Sequence, residues 1–198
     1  MLLIGAILGV GALLGIGLGG DPRNLAHLRL RLWWLAPLAL AMQVAPVSGG
    51  EELLRWAPIG LLLGSYVVMG IFAVANLRFR GFGVILIGLL MNVAVIGANQ
   101  GMPVSAGALE RLEHAEDIAA LRDAEPGSKH HLEELDDVLL PLADVIPIAA
   151  PFDAIISVGD VFTYGGAAVF LAMALLGRAV RRGRARIRRR ETQPASWS

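Results

Sequence analysis

The stretch Leu142–Gly166, LADVIPIAAPFDAIISVGDVFTYGG, decides how the chain is read. It leads from an acidic segment, past Pro147 and Pro151, into an apolar run that continues to Gly177. Asp144 therefore lies on one side of a proline-broken connection and Asp160 on the other, where hydrocarbon is expected to begin. A helix counted back from Arg178 puts Asp160 about 27 Å away, at the outer edge of a hydrocarbon core about 30 Å thick. A carboxylate at that depth is costly unless it faces water, a partner or the bundle interior. One role for it is structural: Ser157 or Asp160 caps the N-terminus of the last helix, where the dipole favours an anion. The other is chemical. If the backbone around Pro141 and Pro147 folds back over the bundle, Asp144 reaches Asp160. Two carboxylates that close cannot both ionise easily, which leaves one acid and one base to activate a water. Spacing alone leaves both roles open.

The rest of the chain supplies the membrane context. Of 198 residues 56% are hydrophobic and 17% charged, with a mean hydropathy of +0.63, more apolar surface than a soluble domain of this size can bury. The absence of cysteine excludes disulfides, thiol catalysis and cysteine metal sites. Met1–Gly20 is uncharged and long enough to cross a bilayer. Its cations follow at Arg23, Arg29 and Arg31 rather than precede it, so it reads as a retained span, not a cleaved signal peptide. Gly5, Gly9, Gly11, Gly15 and Gly19 give it small-xxx-small spacings, the pattern of a close helix contact, although generic tight packing with no specific partner is the simpler explanation. Leu32–Val47 is a second span, anchored by Trp33 and Trp34, with Gln43 as its one strongly polar residue and a neighbouring helix as that residue's expected partner. Ala57–Asn76 is the third, the basic turn LRFRG returns the chain, and Phe82–Ala98 is the fourth. Asn92 lies within that span, Asn99 and Gln100 at its end. The last span runs from about Ile155 to Gly177.

Residues 99–151 form one long acidic segment outside the bundle. Leu109, Leu112, Ala115, Ile118 and Ala119 recur at helical spacing and predict an amphipathic surface helix ended by Pro126-Gly127. A second short helix is expected over His130–Leu140. The fold class is accordingly all-α, a polytopic bundle of five transmembrane helices with a helical extracytoplasmic cap. Residues 1–98 carry helices 1 to 4, 99–151 the acidic cap, 152–177 helix 5, and 178–198 a basic tail.

Charge sorts the two faces. With connections on alternate sides, the tail side holds every Lys and Arg except Arg55, Arg111, Arg122 and Lys129, and only Asp21 and Glu191 of the acids. The positive-inside rule then places the C-terminus in the cytoplasm, the N-terminus outside and the acidic cap outside an inner (cytoplasmic) membrane. Arg181, Arg182, Arg184, Arg186, Arg188, Arg189 and Arg190 next to the last span are expected to attract anionic headgroups. Interleaved aromatics are missing from this tail, which speaks against nucleic-acid binding.

Other chemistry is thinly represented. HHLEELDD offers imidazole and carboxylate ligands, but without His-Glu-x-x-His spacing or a fixed third ligand, so a solvated acidic face is expected and no metal or cofactor. No phosphate-binding loop, nucleophile elbow or dinucleotide fingerprint occurs.

Two resemblances bear on function. Leu142-Ala143-Asp144-Val145-Ile146 and Ser157-Val158-Gly159-Asp160 resemble the C-terminal part of the lipoprotein signal peptidases (signal peptidase II), membrane aspartyl proteases with an Asp in a Val-Asp-Phe-type segment and an Asn-x-Ala-Asp at the outer start of their last span. Ser157 stands for the Asn, Gly159 for the Ala, and the family's Asp-Arg pair is missing. Over its length the chain is more similar to an uncharacterised bacterial family of multi-pass membrane proteins, of the domain of unknown function 5317 type. Asn99-Gln100-Gly101-Met102-Pro103-Val104-Ser105, Lys129-His130, LADVIP and Ile156–Asp160 carry that similarity, which implies membrane residence and no particular activity.

Three functions follow as expectations. The first is an aspartyl-type site of Asp144 and Asp160, supported by Asn99 and Ser157, acting on a membrane-anchored peptide or lipid-linked group. The second is a non-catalytic membrane protein whose acidic cap binds a partner protein or cation. The third is a small-molecule transporter, for which few polar groups lie at mid-membrane depth.

Overall fold

The computed structural model describes residues 2–46, 51–113, 115–124 and 127–180. The arginines from Arg181 to Arg190, expected to meet headgroups, lie outside the described residues.

Helices α1 (Leu2–Gly17), α3 (Leu35–Val44), α4 (Glu51–Ala75), α5 (Phe82–Asn99) and α8 (Val158–Leu175) fall on the five expected apolar runs, and the short α2 (Arg23–Ala26) lies between the first two. Among the described residues, three stretches, Arg55–Ala75, Phe82–Asn99 and Val158–Leu175, are long and apolar enough to cross a membrane. The other two helices are shorter, 16 residues in α1 and 10 in α3.

Close contact with α8 organises the bundle. A Cβ on Gly11 of α1 would stand 2.7 Å from the Ala168 backbone oxygen, and one on Gly15 2.8 Å from the Leu175 side chain, whereas Gly5, Gly9 and Gly17 meet nothing within 4 Å. The small-residue face of α1 is therefore Gly11 and Gly15, two of the glycines its sequence offered. Gln43 donates to Ser65 Oγ at 3.1 Å, tying α3 to α4 as its isolation in an apolar run suggested.

Two apolar clusters fill the bundle. The one nearer the LRFRG turn centres on Phe72, Phe79, Phe82 and Leu89, with Phe170 edge-on to Phe79 and Phe82 at ring separations of 5.8 and 5.0 Å. The other, beneath the cap, gathers Ile59, Leu62, Val95, Ile96, Met102 and Ala143. Pro58 lies inside α4, and the N–H of the following Ile59 is taken by Gly127 O of the cap at 3.2 Å.

The cap departs from the helical expectation. It holds a four-stranded sheet in the order β2-β1-β3-β4, built from β1 (Met102–Val104), β2 (His130–Leu132), β3 (Asp144–Ile148) and β4 (Ala154–Ser157). All-α is thus corrected to a helical bundle with a small mixed sheet. β1 runs parallel to both β2 and β3, while β3 and β4 are antiparallel. The helix expected over His130–Leu140 is absent: β2 opens the segment and a 3-10 turn, Leu140–Leu142, closes it. The amphipathic helix breaks into α6 (Ala106–Arg111) and α7 (Ala115–Arg122), with Glu113 between them at φ +62°. The last helix starts at Val158, because Ile155 and Ile156 belong to β4. Short runs of β-branched residues such as DVIPI and AIIS are as compatible with a strand as with the end of a span. Prolines that exclude helix do not exclude an edge. β3 meets β1 only at Asp144, so Pro147 lies where a missing N–H is tolerated.

Candidate functional site

The site grows out of the β4–α8 junction. Ser157 ends β4 and is the N-cap of α8. Its Oγ accepts from Asp160 N at 2.9 Å, while Asp160 Oδ2 accepts from Ser157 N at 3.2 Å. This reciprocal capping box satisfies two amides that a helix start leaves unpaired. The structural role foreseen for these residues is therefore real, and it does not use up the carboxylate.

A second layer comes from α5. Asn92 donates through Nδ2 to Asp160 Oδ1 at 2.8 Å, and its Oδ1 accepts from Ser157 Oγ at 2.9 Å. The same Nδ2 lies 3.2 Å from Tyr66 Oη on α4. Asn92 and Ser157 have no exposed surface. An amide sunk between apolar helices needs every partner satisfied, and here α4, β4 and α8 supply them. Gly159 makes the meeting possible, since a Cβ there would overlap the Asn92 side-chain oxygen. Tyr164, four residues after Asp160, shares its face of α8.

β3 brings the second acid. Asp144 is the register partner of Ser157 across the β3–β4 ladder, with a bulge between Asp144 and Ile146; a bulge of this kind re-aims side chains beside it. On its other edge Asp144 pairs with Val104, and its carbonyl accepts from Ser105 N at 3.0 Å. The two expected catalytic acids thus converge on one residue: Asp144 faces Ser157 across the sheet, and Asp160 bonds its N–H. Asp144 is 8% exposed. Burial, and then the nearby Asp160 charge, pushes its carboxyl up to about 8. At neutral pH Asp144 keeps its proton. Asp160, accepting from an amide side chain and from the cap N–H, is held as an acceptor, with carboxylate lone pairs to spare.

On the open side Asp144 lines a cavity of about 280 Å³ with Leu109, Leu112, His130 and Ile155. His130 Nε2 stands 3.8 Å from Asp144 Oδ2, too far for a hydrogen bond and within reach of a bridging water. Surrounding protein, then Lys129, lowers the imidazole from its ordinary value, though 49% of the side chain meets solvent, which limits the shift.

Asn99, the other expected support, is used elsewhere. Its Nδ2 donates to Val138 O at 2.9 Å and its Oδ1 accepts from Val138 N at 2.9 Å, a clamp that fixes the loop ahead of the 3-10 turn. His131 pairs with Asp137 at 3.1 Å, so the acid-rich HHLEELDD run closes a loop on itself. Among the described residues no three His, Asp or Glu side chains are grouped to hold a metal.

Three members of the site were not expected as such: Asn92, Tyr66 and His130. Asn92 is visible in sequence as a strong amide inside an apolar span, but its partner depends on α5 packing against α8. Gly88, four residues earlier, and Gly159 carried that signal, for the two face each other in the seam.

No curated protein and no solved structure matches the chain, and the likeness to lipoprotein signal peptidases is not shown by any match. Residues 27–172, well over half of the chain, match the model of a family of unknown function, DUF5317, and the chain belongs to that family.

Proposed function

We propose that the chain is a multi-pass protein of the inner (cytoplasmic) membrane, with its N-terminus outside and its C-terminus in the cytoplasm, that hydrolyses a bond in a membrane-anchored peptide or lipid-linked group. One observation carries the catalytic reading: the β3–β4 register and the α8 capping box bring Asp144 and Asp160 to the same residue, Ser157. In this reading Asp160, held by Asn92, takes a proton from a water between the acids. Asp144 gives its proton to the carbonyl oxygen under attack. As the tetrahedral intermediate collapses, Asp160 passes the proton it took from water to the leaving group and Asp144 takes one back from the intermediate's hydroxyl, so the pair returns to one acid and one base. The cavity beside Asp144 admits substrate from the cap side. Five spans are kept in this reading because charge then alternates correctly at every turn.

The test compares cleavage products in membranes of cells making the native protein, Asp144→Asn or Asp160→Asn, with each variant's membrane level measured. Products that vanish in both variants at equal protein level support hydrolysis; an unchanged peptide and lipid profile refutes it.

A second reading, a non-catalytic cap that binds a cationic partner, draws on a separate open cavity of about 300 Å³. Asn99, His131, Glu134, Asp136 and Asp137 line it. Wild-type cleavage profiles in both Asp variants, with capture of a basic protein lost on Glu134→Gln/Asp136→Asn, would favour it.

A further inference from the structure

The opposite end of the bundle holds a slot that the acid pair does not use. It has a volume of about 520 Å³ and lies between the α2–α3 segment and α8, lined by Leu25, Leu28, Arg29, Leu30, Trp33 and Phe170. That volume is within the range of small-molecule sites, about 300–1,000 Å³.

The segment that forms its wall is firmly held. Asn24 Nδ2 donates to Leu175 O at 2.7 Å, fixing α2 to the end of α8. Asn76, fully buried at the end of α4, accepts from Arg31 N at 2.9 Å and donates to Arg31 O at 2.8 Å. Arg78 donates to Arg29 O, so its guanidinium is held beside the Arg29 backbone. A guanidinium has five N–H donors, and this bond leaves the others available. Trp33, which lines the slot, is 67% exposed, and Trp34 next to it 51%. Paired tryptophans beside cations mark the headgroup level of a bilayer.

We propose that this slot binds an anionic phospholipid of the cytoplasmic leaflet, one acyl chain lying along Leu25, Leu28 and Phe170 and the phosphate meeting Arg29 and Arg78. The occupant follows from charge and shape together. Arg23, Arg29, Arg31, Arg78 and Arg80 gather in the two connections at this end, where Asp21 is the one acid in those connections. An apolar slot with Arg29 in its lining, and the Arg78 guanidinium bonded to the Arg29 carbonyl, suits a molecule with a hydrocarbon tail and an anionic head. The proposal rests on the membrane reading and is independent of hydrolysis.

The test is native mass spectrometry of the full chain in neutral detergent, titrated with phosphatidylglycerol and separately with phosphatidylcholine. The native chain retains phosphatidylglycerol preferentially. Loss of the two cations in Arg29→Gln/Arg78→Gln weakens that retention about tenfold or more. Arg29→Lys/Arg78→Lys, which keeps the charge, restores most of it, and Leu28→Trp, which fills the slot, abolishes it with every cation in place. Equal retention of the two lipids overturns the proposal. So does unchanged phosphatidylglycerol binding in Arg29→Gln/Arg78→Gln, which would put the lipid elsewhere, or a lipid-free dimer, which would make a second copy the occupant. Alkaline extraction of membranes separates the two failures: a chain released from membranes refutes the membrane reading, and a retained chain without lipid preference refutes only the slot.

Discussion

Replacing Asp144 with Asn should stabilise the protein, and by an amount that depends on pH. The folded chain keeps a proton on Asp144 up to about pH 8, while the ordinary carboxyl value is 3.8. Between those values the unfolded chain has released its proton and the folded chain has not, so stability falls as pH rises. The sign is that of a raised acid: its contribution is complete below about pH 4 and is lost progressively up to about pH 8. Each pH unit of the mismatch costs about 1.4 kcal/mol, which amounts to about 4 kcal/mol at pH 7. Asparagine has nearly the shape of the protonated carboxyl and no charge to lose, so the penalty disappears in the variant. The assay is thermal unfolding of the purified chain in neutral detergent, native and Asp144→Asn, in steps from pH 4 to pH 9. The two should nearly coincide at pH 4 and separate steadily, the variant melting higher by several degrees at pH 8. Parallel curves across the whole range would refute the buried protonated acid, and a less stable variant at pH 8 would reverse the sign of the argument.

Ser157→Ala removes both the N-cap acceptor of α8 and the donor to Asn92 Oδ1, leaving buried polar atoms unpaired; unfolding should become easier by about 2–3 kcal/mol, read as a lowered Tm. Gly11→Ala should destabilise by about 1–3 kcal/mol because its methyl meets the α8 backbone. Gly5→Ala and Gly9→Ala, with open space around them, should instead be neutral or stabilising by about 0.5–1 kcal/mol through helix propensity; equal melting temperatures for all three would remove the α1–α8 contact from the account.

Helix positions were legible wherever twenty or so apolar residues stood together, because nothing but a helix satisfies its own backbone in hydrocarbon. The cap was harder. His130–Leu132 is a three-residue strand that pairs with Met102–Val104, 28 positions away, and no local period announces such a pairing. The acids were legible for a different reason. Asp144 and Asp160 are conspicuous because a charge beside a span needs an explanation, and that argument works one residue at a time. Their supports depend on packing. Asn99 sat at the right end of α5 and proved to clamp Val138, whereas Asn92, two turns deeper, reaches Asp160 because Gly88 and Gly159 let α5 and α8 close up. Glu113, in the left-handed region, broke a helical pattern that its hydrophobic spacing supported on both sides.

The pairing of the two acids can be seen directly in the infrared carbonyl band of a protonated carboxylic acid, followed from pH 5 to pH 10 in the native chain, Asp144→Asn and Asp160→Asn. The native band should persist at pH 7, fall to about half near pH 8 and be missing in Asp144→Asn. In Asp160→Asn it should titrate at lower pH, because the neighbouring charge that helps hold the proton is gone. A native chain without this band at pH 7, or a band whose titration ignores residue 160, would contradict the pairing on which the proposed chemistry stands.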